Sequence, residues 1–232
     1  MDIHGLQKLT LLDFPGHMSC TIFTGGCNFR CPFCHNGGLV LHPEQLPSLN
    51  TEDVFAFLES RKKILEGVCI TGGEPTLQPD LSAFITRIKS MGFKVKLDTN
   101  GQTPNVVSFL LEHELLDYVA MDIKNCRERY GKTIGIEGFR TDAVEATASL
   151  LMGSSVPYEF RTTVTKELHD REAFEQIAEW VAGAQHYFLQ PYRDSEQIIM
   201  PNTFHTPSNE DLLAYQEILR KTVHKVAIRG LD

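Results

Sequence analysis

The 232-residue chain has no apolar run near the ~20 residues that a membrane-crossing helix needs. Its first residues, MDIHGLQKLTLLDFPG, also lack the basic and long apolar segments of a secretory signal. A cytoplasmic location without a membrane partner is therefore expected. Positive charge is in deficit as well: 22 Lys and Arg stand against 30 Asp and Glu, a formal net charge of −8. Affinity for nucleic acid comes largely from cations that neutralise phosphates, so no nucleic-acid partner is expected. Nor is there a low-complexity tract or a repeat at a solenoid period. What remains is an ordinary balance of 42% apolar and 22% charged residues, with no composition break. One domain over residues 1–232 is the expectation.

Three of the six cysteines fall in one short stretch, GGCNFRCPFCHNGG, residues 25–38. Cys27, Cys31 and Cys34 could form disulfides, attach haem through Cys31-Pro-Phe-Cys34-His35, hold zinc, or hold an iron–sulfur cluster. A reducing compartment disfavours disulfides. Haem leaves Cys27 without a role. Zinc needs a fourth ligand, and although His35 or His42 could supply it, no second Cys or His pair follows. Three thiolates can instead hold three irons of a four-iron cluster, leaving one iron open to another ligand, whereas electron-transfer ferredoxins use four cysteines per cluster. Cys20 and Cys69 lie in expected strands and read as small buried hydrophobes, and Cys126 is a single loop cysteine.

Hydrophobic periodicity alternates between strand and helix from residue 18 onward. Extended runs fall at 18–23, 68–70, 93–98, 118–124, 158–164 and 187–189. Helices are expected to open at Thr51, Asp80, Thr103-Pro104, Thr141, Asp170 and Ser208, with Gly92 stopping the second. This order predicts an α/β fold, a partial (β/α)6 barrel of TIM type with parallel strands. Three long connections, 35–50, 125–140 and 191–207, all follow strands and so belong on the C-terminal rim, where such barrels carry chemistry. Parallel strands buried on both faces should be apolar throughout, yet three of these alternate. Phe93, Val95 and Leu97 oppose Lys94, Lys96 and Asp98; Val119, Met121 and Ile123 oppose Asp122 and Lys124; Glu159, Arg161 and Thr163 share one face. Facing the barrel lumen, these charges need pairing or a ligand, because an isolated buried charge is costly.

A second motif, Thr71-Gly72-Gly73-Glu74-Pro75, ends a strand. Two glycines there allow close approach to the backbone. Taken with the C-x-x-x-C-x-x-C loop, it resembles the signature of the radical S-adenosylmethionine superfamily. LDFPG (12–16), LDTNG (97–101) and MDIK (121–124) narrow the resemblance to the activating enzymes of glycyl-radical enzymes.

That resemblance implies one [4Fe-4S] cluster on Cys27, Cys31 and Cys34, with S-adenosylmethionine on the open iron. It places Phe33 against the adenine, with the backbone of Cys34 and His35 nearby, and Gly72, Gly73 and Glu74 at the methionine amino group. Asp98, Thr99, Asp122, Lys124 and Arg161 would surround the ribose and the methionine carboxylate. These are charges that alternation alone sends into the lumen. The family's histidine near the sixth strand has no counterpart here; Gln190 stands in that region.

The implied reaction splits S-adenosylmethionine reductively and places a radical on a glycine of a partner enzyme. That partner is a glycyl-radical enzyme, with the anaerobic ribonucleotide reductase first among them. The electron would come from a low-potential donor such as flavodoxin or ferredoxin. Two rivals are a radical S-adenosylmethionine enzyme acting on a small molecule, as deazapurine synthases do, or on another peptide, and an iron–sulfur or zinc module without catalysis.

Overall fold

A computed structural model of the chain describes residues 1–230; residues 231 and 232 of the expected domain lie outside the described residues. The strands are β1 (Ile3–Thr10), β2 (Ser19–Thr24), β3 (Gly67–Gly72), β4 (Lys94–Thr99), β5 (Tyr118–Asp122), β6 (Tyr158–Val164), β7 (His186–Pro191) and β8 (Lys225–Ile228). The α-helices are α1 (Gly37–Leu41), α2 (Thr51–Arg61), α3 (Leu81–Ser90), α4 (Pro104–Glu112), α5 (Arg127–Ile134), α6 (Asp142–Gly153), α7 (Arg171–Trp180) and α8 (Asn209–Leu219).

The strands form one eight-stranded sheet in sequence order, antiparallel only between β1 and β2. Among the described residues β1 and β8 do not pair with each other, so the sheet curls into a barrel that stays open. All six expected strands are present and parallel. Two more extend the sheet at its edges. β1 escapes sequence reading because an edge strand with its central residues half-buried or exposed shows no clean period, and β8 because it has four residues.

Local chemistry starts and stops the helices. Asn50, Asp170 and Ser208 each accept a backbone N–H in the first turn of α2, α7 and α8, at 2.8, 2.9 and 3.1 Å. Asp80 precedes α3 but does not cap it; its carboxylate pairs with the N-terminal ammonium of Met1 instead. Gly92 ends that helix segment with φ +93°. The expected connection 125–140 contains α5, a helix too polar for its period to stand out, since it buries only Tyr130, Thr133 and Ile134.

Register explains the lumen. Cys69 lies beside Lys96 across β3 and β4, Asp98, Ala120 and Glu159 lie side by side across β4 to β6, and Asp122 lies beside Arg161. Their neighbours Ile70, Leu97, Met121 and Phe160 point the other way and are fully buried. The barrel's lower end is filled by the loop between β1 and β2. There Phe14, 2% exposed, packs so tightly over Gly67 that a Cβ at Gly67 would lie 2.8 Å from its ring. The long connections after β2, β5 and β7 share the opposite rim, as expected.

Candidate active site

The cysteine loop leaves β2 at Thr24 and is held by backbone bonds on three sides. Glu74 N–H donates to Gly26 O at 2.8 Å, Arg30 N–H to Ile134 O at 2.9 Å, and Ile199 N–H to Cys34 O at 3.3 Å. Asn36 Nδ2 also donates to Gly72 O at 2.7 Å. The glycines of TGGEP therefore serve the fold itself: a Cβ at Gly73 would stand 1.9 Å from Gly26 O, and one at Gly72 2.3 Å from Thr24 N. Only two glycines let the β3 end lie against the cysteine loop.

One cavity of about 220 Å³ opens on the C-terminal rim. Cys27, Cys31, Cys34, Phe33, His35, Gly72, Gly73, Glu74, Asp98, Thr99, Asp122, Lys124 and Arg161 all line it, so every residue that the resemblance assigns to the cofactors reaches the same space. Gln190 lines it too. His35 is the most loosely placed: its side chain is exposed and its Nε2 lies 2.7 Å from Arg193 O.

The charges form a continuous chain. Lys124 Nζ reaches Asp122 Oδ2 at 3.0 Å, Arg161 Nε reaches Asp122 Oδ1 at 2.9 Å, and Arg161 Nη1 reaches Asp98 Oδ2 at 3.1 Å. Lys96 pairs with the other oxygen of Asp98. Ala120 stands in register between Asp98 and Glu159, so no large side chain from β5 bars the span from β6 to β4. Burial alone would raise the Asp122 carboxyl, but Arg161 and Lys124 outweigh it and hold it well below the usual carboxylate range. Three cations and two anions leave this chain one positive charge in surplus, which suits an anionic group such as a carboxylate.

Glu74 is already heavily engaged. Its Oε1 accepts Thr76 N–H, Thr76 Oγ1–H and Thr99 Oγ1–H, and its Oε2 accepts Asn100 N–H at 2.7 Å. Burial pushes its carboxyl upward despite those donors. It thus fastens the end of β3 to the end of β4, with acceptor capacity left mainly on Oε2.

Sequence reasoning passed over Asn36 and Asn100, and it placed Lys96 in the lumen without giving it a partner. Asn36 and Asn100 line the cavity and Lys96 anchors Asp98 from below. Asn100 lies inside LDTNG and Lys96 on an alternating strand, so position was the available signal.

The radical SAM superfamily matches residues 21–181, from the middle of β2 to the end of α7. The chain belongs to that superfamily. It is 32% identical, over 99% of its length and 96% of the relative's, to a protein of Methanocaldococcus jannaschii named as a candidate glycyl-radical enzyme activating enzyme. To the pyruvate formate-lyase-activating enzyme of Clostridium pasteurianum it is 26% identical over 82% of this chain and 81% of the relative. Among solved structures, a radical SAM methyltransferase from Sphaerobacter thermophilus superposes with a TM-score of 0.73 at 16% identity, covering 95% of this chain and 68% of that one. That likeness supports the fold, the partial barrel.

Members of the superfamily are enzymes that use a [4Fe-4S] cluster and S-adenosylmethionine. The donor set here fits the cluster. Among the described residues no three Cys, His, Asp or Glu side chains converge closely enough to hold a single ion, whereas three thiols spread around one cavity suit a cluster in which each binds a different iron. Burial pushes the Cys27 thiol up to about 11 and the Cys31 thiol up to about 12, so thiolates at these positions need a bound cation. Among the described residues no helix is long and apolar enough to cross a membrane.

Proposed function

We propose that this enzyme activates a glycyl-radical enzyme, with the anaerobic ribonucleotide reductase as its partner. The observation that carries the reading is the rim cavity lined together by the three loop thiols, the TGGEP strand end and the paired charges of β4, β5 and β6. The two relatives described above, both named for activation of this kind, support it, as does the opening LDFPG.

In this reading Cys27, Cys31 and Cys34 hold the cluster, and Lys124 and Arg161 attract the methionine carboxylate. Oε2 of Glu74 and the backbone of Gly72 and Gly73 receive the amino group. Asp98, Thr99 and Asp122 meet the ribose, while Phe33 and the backbone of Cys34 and His35 flank the adenine. Bound there, the cofactors would supply reductive cleavage of S-adenosylmethionine, with the electron given by a low-potential flavodoxin or ferredoxin, and so the means to take hydrogen from the partner's glycine. The chain's task is placement: the target C–H must be in contact before cleavage, so the rim has to receive a loop of the partner.

The test is anaerobic reconstitution followed by incubation with S-adenosylmethionine, reductant and the reductase. A glycyl doublet in the EPR spectrum is expected. Abundant 5′-deoxyadenosine with no such doublet would assign the activity to another substrate, a small molecule or a different peptide.

A further inference from the structure

Cys27 differs from its two neighbours in the hydrogen bonds that reach its sulfur. Phe29 N–H points at Cys27 Sγ from 3.3 Å, a local bond within the loop. A second donor comes from another strand end: Asn100 Nδ2, after β4, lies 3.9 Å from the same sulfur. Among the described residues, neither Cys31 nor Cys34 has a side-chain donor from outside the loop within hydrogen-bond reach.

The orientation of the Asn100 amide is fixed by its surroundings. Its Oδ1 accepts the backbone N–H of Gln102 at 3.0 Å, a group that can only donate. Nδ2 must therefore face the other way, toward Cys27 and toward Asn28 Oδ1 at 2.8 Å. One amide hydrogen is taken by Asn28 and the other is left for the sulfur. Asn100 is 6% exposed, so water competes little, and its backbone is pinned separately by the bond to Glu74. A side-chain substitution leaves that pin in place.

We propose that Asn100 tunes the reduction potential of the cluster by donating a hydrogen bond to the Cys27 sulfur. The inference rests on the reading that Cys27 is a cluster ligand. A donor at a ligand sulfur stabilises the more electron-rich, one-electron-reduced state, so it raises the potential and makes the electron easier to accept. Asn28 acts as the positioning residue, because its carbonyl oxygen holds the amide in line. Asn100 thereby links the strand end that carries Asp98 and Thr99 to the cysteine loop.

The experiment is an EPR-monitored redox titration of the anaerobically reconstituted full chain without S-adenosylmethionine, comparing wild type, Asn100→Ala and Asn100→Asp at equal iron content. Asn100→Ala should lower the ratio of reduced to oxidised cluster at a fixed potential about tenfold, which for one electron is about 59 mV. Asn100→Asp should lower it further, since a carboxylate beside the sulfur repels the added electron. Loss of packing alone gives no such order. Fully loaded variants with the wild-type midpoint, or a midpoint in Asn100→Asp above that in Asn100→Ala, would overturn the proposal. If Asn100→Ala takes up no iron, Asn28→Ala decides. It frees the amide without removing it and should shift the midpoint in the same direction by less, and an unchanged midpoint would again overturn it. A Cys27→Ala chain that loads as much iron as wild type would instead remove the ligand assignment beneath it.

Discussion

The two faces of strands β3 to β6 differ in kind, one apolar and one charged. On the outer face Val68, Ile70, Val95, Leu97, Val119, Met121 and Phe160 are fully buried in the apolar core. On the inner face the same strands place Cys69, Lys96, Asp98, Asp122, Glu159 and Arg161; ion pairs link Lys96, Asp98, Arg161 and Asp122, Glu159 pairs with Arg229, and Asp98, Asp122 and Arg161 open to the cavity. Stability and chemistry are thereby divided between alternate residues of one strand. Substitutions on the two faces should fail in different ways.

The largest effect is expected at the loop that caps the inner face. Cys31→Ala should lower 5′-deoxyadenosine formation by about 1,000-fold or more, equivalent to over about 4 kcal/mol in the barrier. Iron content should fall with it, which elemental analysis reads directly. On the outer face Ile70→Ala should lower unfolding stability by about 2–5 kcal/mol in denaturant titration. Its affinity for S-adenosylmethionine, measured below the unfolding transition, should stay within about twofold of wild type, about 0.4 kcal/mol. Equal damage to both quantities would break the division between faces.

Lys124→Met probes the inner face. Asp122 keeps Arg161 as partner, so the fold should persist, while affinity for S-adenosylmethionine drops about 30-fold, about 2 kcal/mol. Calorimetric titration separates that from a stability effect.

The smallest expected effect, taken over a single pH unit, concerns His169, which supports the same lysine from behind. Its Nδ1 accepts Thr165 N–H at 3.2 Å, so Nε2 carries the proton and donates to Lys124 O at 2.9 Å. Burial pulls its pKa down to about 4. The folded state thus holds the neutral ring, while the unfolded chain takes up a proton near pH 6.5. Its contribution is fully present above about pH 6.5 and is lost as pH falls toward the folded value, by at most about 1.4 kcal/mol per pH unit. Denaturation across that window should show the slope in wild type and lose it in His169→Gln. The depressed carboxyls of Asp98 and Asp122 act later, contributing stability above their ordinary range near pH 4 and losing it only below.

What could be read from the sequence follows the same division. Alternation in FKVKLD, YVAMDIK and YEFRTTV announced two unlike faces, because a strand must put every second residue on the same side. Spacing and glycine pairs marked the rim residues that share the cavity. Less legible were features that depend on tertiary partners. The antiparallel β1 pairs along one edge and carries no strong period, and α5 is too polar to separate from a loop. The reason for Gly72 and Gly73, close approach to Thr24 and Gly26, needs the cysteine loop in place to be seen. Asn100 gains its meaning only when Cys27, far away in the sequence, is brought beside it.

The most direct measurement is paired: iron and sulfide content of the anaerobically reconstituted chain, with 5′-deoxyadenosine release after addition of reductant and S-adenosylmethionine. About four irons per chain and reductant-dependent 5′-deoxyadenosine are predicted, both lost in Cys31→Ala. A single bound zinc, or a full cluster that releases no 5′-deoxyadenosine, would contradict the account.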